Sequence, residues 1–107
     1  MAVTMTQQDE MRQPAEWMRP KDDRILEALD EVGNLTPIGI SREGLVPRVD
    51  TTASYASERC NKLVKYGLLM YIDSSTFAIT DIGREYLAGN LDASTLDELD
   101  EPRVADE

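Results

Sequence analysis

An α+β domain, three helices followed by a two-stranded hairpin and a closing helix, is what this chain of 107 residues predicts. Three observations carry that expectation. Apolar residues recur at helical spacing over 20–32 and again over 51–66, each window closed by a glycine, Gly33 and Gly67. A Thr-Pro pair at 36–37 opens a shorter helical stretch between them. Directly after the 51–66 window, LLMYID and TFAIT are rich in aromatic and β-branched residues and stand two serines apart.

Taken in order, residues 1–16 are polar and lack a long apolar period, which reads as a flexible N-terminal arm. Trp17 and Met18 are too apolar to hang loose, and Trp17 is expected to pin the arm to the domain. The first helix runs from Pro20, a residue suited to a first turn, to Val32. Ile25, Leu26, Leu29 and Val32 share one face, and Asp22 and Asp23 lie where the helix dipole favours acids. Thr36 caps the second helix, Gly39 weakens it and Gly44 ends it; Pro47 then keeps Val46 out of helical geometry. The third helix takes its cap from Asp50 or Thr51 and runs to about Tyr66. Its inward stripe is Ala53, Ala56, Cys60, Leu63 and Val64. Outward lie Thr52, Ser54, Tyr55, Glu58, Arg59, Lys62 and Lys65. The hairpin should turn Leu69, Tyr71, Phe77 and Ile79 to the core, and Asp81 should cap a final helix ending at Gly89. Three helices with a hairpin immediately after the third form the winged helix-turn-helix arrangement, here over residues 17–89. Residues 90–107 hold seven acids and one arginine. They read either as a disordered acidic tail or as a short amphipathic helix through Leu91, Leu96 and Leu99.

Composition narrows the function classes. Histidine is absent and Cys60 is the single cysteine, so no intrachain disulfide, no thiolate–imidazole zinc site and few nucleophile–base pairs can be built. An enzyme is disfavoured, no cofactor is expected, and no small-molecule ligand is evident. With no apolar run long enough to span a bilayer and no signal-like start, the chain reads as soluble, cytoplasmic and without a membrane partner. Acids number 21 against 11 bases, for a formal charge of −10. The acids run along the whole chain, which suits a cytoplasm rich in salt, where self-repulsion is screened.

One interval departs from that acidity. From Arg42 to Lys65 there are five bases against three acids. A helix entering the major groove needs small residues and a cap at its start, hydrogen-bonding side chains a turn apart, and cations further along. TTASYASERCNKLVK supplies these. Thr51, Thr52 and Ser54 can reach phosphates or base edges, Tyr55 offers a flat face and a hydroxyl, and Arg59 is the best candidate for a bidentate contact to guanine, with phosphate as its other target. Lys62 and Lys65 suit phosphates, and Arg42 and Arg48 add charge from the preceding segment. Double-stranded DNA is therefore the expected partner, bound by a monomer or by a homodimer. The hairpin carries no base from Leu68 to Ile82, which points to a wing that packs on the core. The competing reading is a winged-helix module that binds another protein and has little affinity for DNA; Glu58 and the acidic tail favour it.

EWMRPKDDRILEAL (16–29), GNLTP (33–37), SYASERCNKLVKYGLL (54–69) and AITDIGREYLAG (78–89) together resemble the haloarchaeal winged helix-turn-helix transcriptional regulators of the halophage phi-H repressor type. The resemblance implies a DNA-binding regulator, in most cases a repressor, of haloarchaeal or haloarchaeal-virus origin. It implies a recognition helix over about 52–66 with DNA contacts from Ser54, Tyr55, Arg59 and Lys62. Two features depart from that group. The second-helix region, IGISREGLVPRVD, holds two glycines and a proline, and Glu58 stands where relatives commonly carry a base.

Overall fold

Local signals set the helix limits. The computed structural model describes residues 11–44 and 49–105. Helix α1 spans Pro20–Val32, opened by the proline and closed by Gly33, whose N–H donates to Leu29 O. Helix α2, Pro37–Ile40, is a single turn capped by Thr36 Oγ1, which accepts from Gly39 N. Helix α3 covers Ala53–Lys65 and is capped by Thr52 Oγ1, which accepts from Tyr55 N. Strands β1 (Leu69–Tyr71) and β2 (Phe77–Ile79) pair antiparallel, with Met70 opposite Ala78. Helix α4, Asp81–Leu87, and a 3₁₀ turn at Ala93–Thr95 follow.

Caps fall one or two residues from their expected places. Thr52, not Asp50 or Thr51, caps α3, and Thr80, not Asp81, caps α4 by accepting from Gly83 N. Thr80 Oγ1 also donates to Gly67 O at 2.6 Å, so one hydroxyl ends the α3–β1 link and starts α4. Asp73 caps the wing turn in the same way: its carboxylate accepts from Ser75 N, which holds it below the usual carboxylate range.

The helices and hairpin close on one core. Ile25, Leu26 and Leu29 of α1 meet Cys60, Leu63 and Val64 of α3, Leu68 and Leu69 at the hairpin, and Tyr86 of α4. Val32, expected on that face, is exposed at the end of α1. Leu69, Phe77 and Ile79 are buried as expected, whereas Tyr71 is half-buried and donates its hydroxyl to Asn61 on α3. Leu35 adds a bridge to the far side of β2, exchanging backbone hydrogen bonds with Phe77. Among the described residues no helix is long and apolar enough to cross a membrane.

Of the expected flexible arm, residues 1–10 lie outside the described residues, and the described parts of both flanking segments lie against the domain. Residues 11–19 lie packed against the domain: Arg12 Nε donates to Leu87 O, its Nη1 reaches Glu27 at 2.6 Å, and Ala15 and Met18 join the core. At the other end Ala93 is fully buried and its N–H donates to Gln13 O. Leu99 N donates to Lys65 O at the end of α3. Val104 forms a parallel bridge with Tyr71, with Tyr71 N donating to Arg103 O and Ala105 N to Tyr71 O. Ala93 is buried and Leu91 and Leu96 pack partly against the core, while Leu99 and Val104 stay exposed. Among the described residues of this segment the helical stretch is the 3₁₀ turn at Ala93–Thr95, not a helix running through Leu91, Leu96 and Leu99.

Two positions expose the packing to measurement. A Cβ added at Gly83 would lie 2.4 Å from Leu68 O and 2.6 Å from Ile79 Cγ1, because α4 starts directly against the hairpin backbone. Gly83→Ala should therefore lower stability by about 1–3 kcal/mol, read as a fall in melting temperature. An unchanged melting temperature would mean that α4 does not seat this closely. Burial raises the Cys60 thiol to about 12, with the Asp22 charge adding to the effect. The folded state thus keeps its proton where an unfolded thiol, near 8.5, loses it. Stability from this group is whole below that range and is lost as pH rises from there toward about 12. Cys60 should resist a thiol-reactive dye at pH 8 in the native state and react promptly in denaturant; prompt native labelling would contradict its burial.

Candidate nucleic-acid interface

Helix α3 presents its N-terminal half and one flank outward. Thr52 and Ser54 are exposed, Tyr55 is half-buried, and Glu58, Asn61 and Lys65 are exposed further along, beside a half-buried Lys62. Hydroxyls, a phenol and a carboxamide thus occupy the start and middle of the face, with ammonium groups toward its end. Asn61 was not singled out from sequence; its Nδ2 donates to Ser57 O while its Oδ1 accepts from Tyr71, tying α3 to the wing.

Arg59 is not on that face. Its guanidinium forks onto Asp22, with Nε to Oδ1 and Nη2 to Oδ2 both at 2.8 Å, and Nη2 also donates to Trp17 O at 3.0 Å. Asp22 has no exposed surface and Arg59 is 7% exposed. The hydrogen bond to Asp22, opposed by burial, raises the arginine pKa above its already high value, so the guanidinium keeps its charge. The expected bidentate contact to guanine is corrected accordingly: a buried carboxylate requires a partner, and Arg59 supplies it.

Two more expected contributors sit differently, and a third falls outside the described residues. Thr51 is buried, its carbonyl accepting from Arg42 N, and offers no hydroxyl to the surface. Arg42 is exposed and pairs with Asp50 through Nε at 3.0 Å. Arg48 lies outside the described residues. Among the described residues of the basic interval, Lys62 and Lys65 have no carboxylate ion pair.

Trp17 does pin the arm, as its apolar character requires. Its ring stacks on Tyr66 with centroids 4.4 Å apart and planes at 17°. The Lys62 ammonium stands 5.9 Å from the Trp17 ring centroid and 5.7 Å from that of Tyr66, within cation–π range of both. A lysine that would otherwise sweep through solvent is held over an aromatic platform.

Residues 11–101 match the family described as winged helix-turn-helix phage repressor. The chain belongs to that family. Among these winged helix-turn-helix phage repressors, it is 34% identical over 91 residues to the repressor protein of Halobacterium phage phiH; the alignment covers 81% of this chain and 98% of that protein. The crystal structure of the PhiH1 repressor-like protein from Haloarcula marismortui superposes with a TM-score of 0.71 at 33% identity, covering 82% of this chain and 97% of that one. The fold expected from sequence, and the resemblance drawn from its motifs, both stand.

Within this phage-repressor domain the Asp22–Arg59 pair should dominate the response to mutation. Arg59→Ala strands a fully buried carboxylate and should destabilise by about 3–5 kcal/mol, a large share of a small domain's stability. Replacing both residues together with apolar ones of similar volume should be far less damaging than either single change. Guanidinium chloride denaturation of the three variants provides the check; a loss below about 1 kcal/mol in Arg59→Ala would mean that the pair contributes no more than a surface ion pair.

Proposed function

We propose that this protein is a DNA-binding transcriptional repressor that occupies operator duplex through the outer face of α3. Membership of the phage repressor family supports a DNA-binding, repressor-like role. The observation that carries the finer reading is the make-up of the α3 surface. The core takes Ala56, Cys60, Leu63 and Val64, and Arg59 is committed to Asp22, leaving Thr52, Ser54, Tyr55, Asn61, Lys62 and Lys65 beside a single exposed acid, Glu58. Thr52, Ser54 and Tyr55 lie toward the helix start, where base edges are read, and the lysines lie where a backbone would pass.

This arrangement answers how a chain of charge −10 can approach DNA. In concentrated salt, charges are screened beyond about 3 Å, so local charge governs contact. Counterion release contributes little there, and affinity rests on hydrogen bonds, Tyr55 and shape. With a small set of phosphate contacts, affinity should depend only shallowly on salt between moderate and molar potassium chloride.

Fluorescence anisotropy in molar potassium chloride tests the proposal, with duplex flanking the protein's own gene against a scrambled control. Selective binding that weakens at least tenfold in Tyr55→Ala, at roughly 1.4 kcal/mol per decade, is the expected result, and the stoichiometry reads out copies per site. Equal affinity for both duplexes, or a steep loss across the salt range, would refute operator occupancy by this face.

A further inference from the structure

Between the arm and the C-terminal half of α3 lies an open concavity of about 330 Å³. Four of its lining side chains are basic, Arg19, Arg59, Lys62 and Lys65, against one acid, Glu58, with Trp17 as a wall. Arg59 is neutralised by Asp22, so three cations face one carboxylate. Such an excess is out of character for a chain with 21 acids and 11 bases.

Arg19 was not singled out from sequence, because it stands before the first helix, 43 and 46 residues from Lys62 and Lys65. The fold brings it there. Its backbone N–H donates to Asp22 Oδ2 at 3.0 Å, fixing it as the residue that leads into α1. Its Nη1 lies 3.3–3.4 Å from the carbonyl oxygens of Glu16, Trp17 and Met18, curled over the turn that Trp17 anchors. Lys62 is steadied by the two stacked rings. Both cations are therefore placed before any ligand arrives, which lowers the ordering cost of binding.

We infer that this concavity seats a backbone phosphate of the duplex, held by Arg19 and Lys62, with Lys65 adding charge; the inference rests on the DNA-binding reading above. Thr52, Ser54 and Tyr55 lie toward the start of α3, and a recognition helix reads bases there. The sugar–phosphate backbone flanking the groove then passes over the other half of the helix, where the concavity opens. A phosphodiester is an anion with several acceptor oxygens and suits a guanidinium and an ammonium converging from two sides. Glu58, on the rim, opposes the phosphate and keeps the contact weak enough to release.

The test compares wild type, Arg19→Ala, Glu58→Gln and Arg84→Ala, the last removing an equal charge from α4. All are tested on the own-gene flanking duplex and its scrambled control over a salt series. Duplexes carrying single neutral methylphosphonates are tested in parallel. Arg19→Ala should weaken binding about five- to tenfold on both duplexes and reduce the salt slope by about 0.9, the value of one phosphate contact. Glu58→Gln should tighten binding about threefold by removing a like charge from the phosphate's surroundings. One methylphosphonate position should weaken wild type more than it weakens Arg19→Ala, whose lysines still meet that phosphate, a readout that does not depend on the variant's stability. Arg19→Ala matching wild type or Arg84→Ala, with no such position, overturns the phosphate seat and leaves the proposed function standing. A loss confined to the own-gene duplex would make Arg19 a base reader and overturn it as well. Wild type that binds neither duplex removes both readings together.

Discussion

A carboxylate with no exposed surface sits at the start of α1, and the architecture around the proposed DNA face is arranged to satisfy it. Asp22 accepts from Arg19 N and from two nitrogens of Arg59, whose remaining bond to Trp17 O fixes the arm. One ion pair thus sets three things at once: where α1 begins, how α3 lies beside it, and where the Trp17 ring lands. The stacking on Tyr66 and the position of Lys62 follow from the last of these. Burying the pair forgoes the hydration of both charges, so its geometry has to be close to ideal, and two 2.8 Å contacts from one planar fork provide that.

The electrostatic character of the surface follows from the same choice. An arginine in the middle of α3 would ordinarily raise the positive potential of the helix face; turned inward, it removes itself from that surface. Arg42 is likewise partnered, by Asp50. Among the described residues, positive character beside α3 is assembled across elements, from lysines near the end of α3 and an arginine contributed by the arm. It is a property of the fold more than of any one stretch of sequence.

This explains which parts of the molecule could be read from the chain and which could not. The limits of α1 follow from Pro20, the apolar spacing and Gly33, all of them local, and the hairpin follows from two short β-rich runs around a serine turn. Arg59 was misplaced because a polar residue at an outward-seeming helical position carries no mark of a buried partner 37 positions upstream. Asp22 looked like a first-turn acid serving the helix dipole, and it serves that turn, but its second role lies on α3. Thr51 and Thr52 are chemically alike, and only backbone geometry decides which caps and which is buried. In the C-terminal segment an acidic composition masked Ala93, Leu96 and Leu91, the few residues that determine where it lies. A signal was present in their apolar character, though too sparse to form a period. Arg12 gave none, since its partners at Asp23, Glu27 and Leu87 are brought together only by the packing of α1 against α4.

The backbone around Val104 runs alongside β1 and hydrogen-bonds it at Tyr71, while Leu35 occupies the outer side of β2. Both margins of the hairpin are therefore met by the chain itself. Unpaired strand margins invite other molecules to add on, and many proteins rely on charge to discourage this. In the concentrated salt of the proposed function that safeguard would be blunted, because repulsion reaches only about 3 Å at 1 M ionic strength. A strand partner supplied in cis is indifferent to salt: it keeps neighbouring copies from zipping together by occupying the place where they would join.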